Sequence, residues 1–103
     1  MALNINNTHY HARPDVTDAE LRLGLDKLQD MLADKIEEKG RKAFVSTHEI
    51  FGAIDEEHDE LRDAVRNCHK TIDGRQIVSE ELLDIAIAAL FGMICVDNNK
   101  VDW

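Results

Sequence analysis

Leucine and isoleucine recur at spacings of three and four along two stretches of this chain, and a third stretch is apolar almost without a break. In the first stretch Leu21, Leu25, Leu28, Leu32 and Ile36 fall on one face of an α-helix. Thr17-Asp18-Ala19-Glu20 precedes them as a capping box: the threonine side chain accepts from a first-turn amide while Glu20 reaches back. Lys39-Gly40 supplies the stop, since glycine takes the left-handed conformation freely. Gly24, in mid-helix, costs up to about 1 kcal/mol relative to alanine. It marks either a close helix contact or a tolerated weakness.

A second capping box is expected at Ser46-Thr47-His48-Glu49. Phe51, Ile54, His58, Leu61, Val65 and Cys68 then trace a stripe along a helix of about six turns. His58 in that stripe reads as a core-edge histidine with its hydrogen bonds satisfied. Ile72-Asp73-Gly74-Arg75 breaks the pattern as a turn. Ser79 is placed to cap a third helix, with Val78 and Leu83 as a hydrophobic staple. Its body, residues 82–96, is apolar on nearly every side. The pattern predicts an all-α domain over residues 17–103, a bundle of about three helices, preceded by a polar arm over residues 1–16. His9 and His11 form an H-x-H pair in that arm. With no third ligand nearby, a solvated arm is the simpler reading of the pair.

Composition narrows the function more than the fold. Acids outnumber bases 21 to 12, for a net charge of -9. Such a surface repels nucleic acid and anionic membranes. It also repels phosphorylated substrates unless cations intervene, which makes a magnesium-type site more plausible than capture of free phosphate. The 103 residues suffice for one domain, and 44% apolar content is that of a globular chain. Cys68 and Cys95, each placed inside a helix, read as reduced core thiols. No signal peptide is recognisable at the start, and the run over 82–96 is too short to span a bilayer. The expected location is the cytoplasm.

One acid does not fit its surroundings. Asp84 is the only charge in the stretch from Leu82 to Val96, and an unpaired carboxylate in a core costs several kcal/mol. Glu81 precedes it by three residues, so the two share a helical face, in what the pattern reads as the first turn or so of the helix. Glu57 and Glu60 repeat the spacing on the second helix. Glu57 lies at the edge of the apolar stripe beside Ile50, Ile54 and Leu61, with small Ala53 and Ala64 flanking it. Glu56, rotated about 100° away, faces more toward water. Two antiparallel helices can bring both pairs face to face and offer four carboxylates to a hard cation such as Mg²⁺. An E-x-x-H di-iron motif and an H-E-x-x-H zinc motif are both missing.

E-E-x-x-E, a 20-residue gap, then E-x-x-D is written here as Glu56-Glu57-His58-Asp59-Glu60 and Glu81-Leu82-Leu83-Asp84. This pattern resembles the signature of the MazG-like all-α nucleoside triphosphate pyrophosphohydrolases, over roughly residues 44–96. The resemblance implies Mg²⁺ (or Mn²⁺) held by Glu57, Glu60, Glu81 and Asp84. It implies hydrolysis of a nucleoside triphosphate to monophosphate and pyrophosphate, as in clearing the nucleotide pool, with Glu56 or Glu57 accepting the proton of the attacking water. It also implies a homodimer or homotetramer in which helices of two subunits complete a four-helix bundle. Basic residues well beyond E-x-x-D commonly hold phosphates in that family. This chain has only Lys100 on that side, which leaves Lys42, Arg41, Lys70 and Arg75 as substitutes. Phe44 and Trp103 are candidates for stacking on a base, against core packing and terminal fraying respectively. The rival reading is a non-catalytic helical module that keeps the fold and binds nucleotide or a protein partner.

Overall fold

The computed structural model describes residues 13–102; His9, His11 and Trp103 lie outside them. Within these residues the chain forms three helices, α1 (Asp18–Lys39), α2 (Thr47–Asn67) and α3 (Gly74–Asp97), with no strand. The all-α expectation holds. At α1 the capping box is complete: Glu20 N–H donates to Thr17 Oγ1 at 3.1 Å, and Thr17 N–H donates to Glu20 Oε1 at 2.9 Å. Gly40 ends this helix at φ 86°, a region that favours glycine, and its N–H donates to the Ile36 carbonyl.

The start of α2 is half of the expected box. Ser46 Oγ accepts from Glu49 N–H at 3.2 Å, but the Glu49 carboxylate takes the Val45 N–H instead of that of Ser46. The Ser46 backbone region is occupied otherwise. Asp102 N–H donates to the Val45 carbonyl and Thr47 N–H to the Asp102 carbonyl, an isolated bridge that ties the C-terminal segment to the entry of α2. Val101 is buried beside it.

The expected cap at Ser79 and the staple of Val78 with Leu83 are corrected. Helix α3 begins at Gly74, so Ser79 lies inside it, and Asp73 stands at the N-cap position without a side-chain bond. The reason is steric. Gly74 packs so tightly on the end of α2 that a Cβ there would strike the Cys68 carbonyl, and the chain reverses at once. Cys68 is accordingly the C-cap of α2 and not an interior position. Farther along the hairpin Gly92 faces Ile50, where a Cβ would come within 2.8 Å of the Ile50 Cγ2. These two close approaches set α2 and α3 antiparallel and in register.

That register turns a different face of α2 inward than the expected stripe. Ile50, Ala53, Ile54, Glu57, Leu61 and Ala64 are half-buried against α3, while Phe51, His58 and Val65 are exposed. Glu57 therefore sits in the seam and not at its edge. Helix α1 rests on α3 through its C-terminal half, where Leu28, Leu32 and Ile36 are half-buried; Leu21 and Leu25 are exposed. Gly24 has nothing within 4 Å of a Cβ position, so among the described residues it marks no close contact.

Candidate metal centre

Helices α2 and α3 meet at Glu57, Glu81 and Asp84. One carboxylate oxygen from each lies within 4.8 Å of the other two, and all three residues are half-buried. Glu57 comes from the seam of α2, where the small neighbour Ala53 leaves room beside it. Glu81 and Asp84 come from successive turns of α3. They are not at its start: Glu81 follows Gly74 by two helical turns. The helix dipole, which acts within the first turn, therefore does not stabilise them.

Among the described residues nothing in the protein neutralises this cluster. Glu57 Oε2 and Glu81 Oε2 are shielded from solvent and have no hydrogen-bond partner. Desolvation, then the charges of Glu60, Asp84, Glu81 and Glu56, push the Glu57 carboxyl above its ordinary value. Desolvation, then Glu60, Asp84 and Glu80, push the Glu81 carboxyl up as well. Buried oxygens without partners are rare in folded proteins. Such oxygens are satisfied by a proton, a water or a cation.

The donor set fits a hard divalent ion. Three carboxylates converging from two helices suit Mg²⁺ or Mn²⁺, which take oxygen ligands and fill remaining positions with water or phosphate. Neither histidine nor thiol belongs to the cluster, so it does not suit zinc.

The remaining expected site residues fall in different places. Glu60 is exposed at the rim, outside the converging trio, yet near enough to raise the pKa of both Glu57 and Glu81. Glu56 is exposed on the solvent side, as its rotation from Glu57 implies. Lys42 lines a cavity of about 320 Å³ together with Glu57 and Asp84. Lys100 is exposed and, like Arg41, Lys70 and Arg75, lines neither this cavity nor a second one of about 260 Å³. The second cavity is lined by Glu60, Asp63 and Glu81 among others. The acidic cluster thus forms the wall between a cavity with cationic residues and one without.

Phe44 packs edge-on against Phe91, with ring centroids 5.8 Å apart at 68°. It serves packing and lines the first cavity at the same time. Two further residues of that cavity had no expected site role: Lys35, and Lys39, which the sequence marks only as part of the helix stop. Their signal is positional, because they share a helical face with Leu32 and Ile36, which pack inward.

Comparison with family models, curated proteins and solved structures returned no match.

Proposed function

We propose that this chain is a divalent-metal-dependent nucleoside triphosphate pyrophosphohydrolase of the MazG-like kind, working in the cytoplasm as a homodimer or homotetramer. The observation that supports it is the trio Glu57, Glu81 and Asp84, whose two solvent-shielded oxygens lack any partner in the protein. Glu57, Glu81 and Asp84 would hold Mg²⁺ or Mn²⁺, with Glu60 at the rim. Bound there, the ion supplies charge neutralisation for phosphate oxygens and a lowered pKa for water.

The protein's own part is positioning and proton transfer. Asp84 and Glu57 reach the cavity from opposite helices, so a phosphate chain entering it meets both. Glu56, or Glu57 itself, accepts the proton of the attacking water. Ile87, Ala88 and Phe91 line the same cavity with apolar surface, which favours a ligand that carries a nucleoside beside its phosphates.

Incubation with Mg²⁺ or Mn²⁺ and a panel of canonical and modified nucleoside triphosphates should release pyrophosphate. Glu57→Gln and Asp84→Asn should each cut the rate by at least about 10²-fold, the scale of losing a key electrostatic group. A folded, metal-loaded protein that turns over none of the panel overturns the enzyme reading.

The rival, a non-catalytic interaction module, draws support from a separate observation. Leu21, Leu23, Leu25 and Phe51 are each more than half exposed. Under that reading Glu57→Gln and Asp84→Asn abolish metal binding and leave the biological effect intact.

A further inference from the structure

Helix α1 faces the carboxylates across the larger cavity, and it does so with cations. Lys35 and Lys39 lie one turn apart on one face of α1, and Lys42 follows two residues after the Gly40 turn; all three line the cavity that Glu57 and Asp84 also line. Lys35 is about two-thirds covered, at 35% side-chain exposure, and its contact to Glu38 is a loose 4.0 Å. A surface pair at that distance contributes little. No carboxylate of the described residues forms an ion pair with Lys39 or Lys42.

The blander role for Lys39 is to offset the negative end of the α1 dipole, since it lies in the last turn. That role does not explain Lys35, just over a full turn earlier, nor Lys42, beyond the helix. It also does not explain why all three converge on one cavity. Charge does. Three carboxylates with a single divalent ion remain net negative, and the whole chain carries -9. An anion seated beside them needs further cations close by, and these lysines are the cations present.

We propose that Lys35, Lys39 and Lys42 form the anion-holding wall of this cavity, so that the ligand's phosphate chain lies between them and the Glu57–Asp84 side. The proposal rests on the metal-and-phosphate reading above. It places the phosphate-holding cations on α1 and the connection after it, upstream of the acids, and assigns no such role to Lys100. Because, among the described residues, α1 is covered only along its C-terminal half, where it packs on α3, a bound anion would also fasten this helix to the hairpin.

The test is titration calorimetry on the full chain with inorganic triphosphate as probe, under saturating Mn²⁺. Because the charge-assisted contacts to the anion are lost, Lys35→Gln/Lys39→Gln should weaken binding by at least about tenfold. Lys42→Gln should weaken it as well. Lys35→Arg/Lys39→Arg should keep it, and Lys27→Gln, on α1 but away from the cavity, should leave it as in the wild type. Mn²⁺ affinity measured without triphosphate should be no weaker in the glutamine variant than in the wild type, and helix content the same, which a merely structural role for the lysines would not give. Unchanged triphosphate affinity in Lys35→Gln/Lys39→Gln, or no triphosphate binding by the Mn²⁺-loaded wild type, overturns the proposal. The two readings fail separately. Lysine-dependent binding without pyrophosphate release removes only the hydrolase, and turnover with lysine-independent binding removes only this wall.

Discussion

Glu57 and Glu81 are placed where a carboxylate is least comfortable, and their protonation carries a stability signature. Both folded pKa values lie above the ordinary 4.5, through desolvation first and neighbouring acids second. Between 4.5 and those raised values the folded chain holds more protons than the unfolded chain. The contribution of these groups is therefore fully present below 4.5 and lost as pH rises through the raised values. In chelator, the melting temperature of the wild type should fall across that window relative to Glu57→Gln, and the variant should melt higher at neutral pH. Mg²⁺ should reverse the order, because an ion that binds only the folded wild type raises its midpoint. A wild type that gains on Glu57→Gln with rising pH in chelator would contradict the assignment. Asp84 was conspicuous in the sequence as a lone charge in an apolar run. Glu57 was harder to read: its spacing to Glu60 is visible, but its position in the seam depends on which face α3 covers.

At the scale of elements, the chain's own local chemistry decides where α1 and α2 begin, and steric contact decides where α3 begins. Ser46 caps α2 by accepting from Glu49 N–H, whereas Ser79 lies well inside α3. Ser46→Ala should cost about 1 kcal/mol in urea unfolding, the usual loss of an N-cap. Ser79→Ala should change stability by no more than about 0.5 kcal/mol, since no cap is lost. A cap-sized cost at Ser79 would restore the later helix start. At its far end α3 is stopped by Asn98 and Asn99: the Asn98 side chain donates to the Ile94 carbonyl, and Asn99 takes φ 53°. Asparagine tolerates that conformation better than most residues. Short polar side chains mark helix ends legibly. The start at Gly74 was not legible as such, because Asp-Gly is equally a turn and a helix entry; the contact with Cys68 settles it.

The described residues are open for a chain of this size. Its radius of gyration is 17.7 Å, against about 13 Å for a compact chain of 100 residues. Among the described residues only Ile87, Cys95 and Val101 are buried side chains of apolar type, while Leu21, Leu23, Leu25, Phe51, Leu82 and Met93 stay more than half exposed. No helix among the described residues is long and apolar enough to cross a membrane. Exposed apolar residues in this number support the proposed assembly, in which a second copy would cover them. Under the proposed assembly, the chain should sediment as a dimer or larger species, with a melting temperature that rises with protein concentration. Leu21→Ser/Leu25→Ser should lower both. A concentration-independent monomer would remove the oligomer from the proposed function.

By itself the sequence determined three helices, two of their N-caps, the glycine stop after Lys39, and the pairing of acids three residues apart. All of these follow from the helical period and from backbone hydrogen bonding within a few residues. Only the tertiary structure decided which faces meet. Gly74 against Cys68 and Gly92 against Ile50 fix the hairpin register, and that register brings Glu57 to Glu81 and Asp84 while leaving Glu60 at the rim and Phe51 outside. It also sets Lys35 and Lys39 of α1, and Lys42 after it, on the same cavity as Glu57 and Asp84, because residues far apart in the chain share a cavity only through packing.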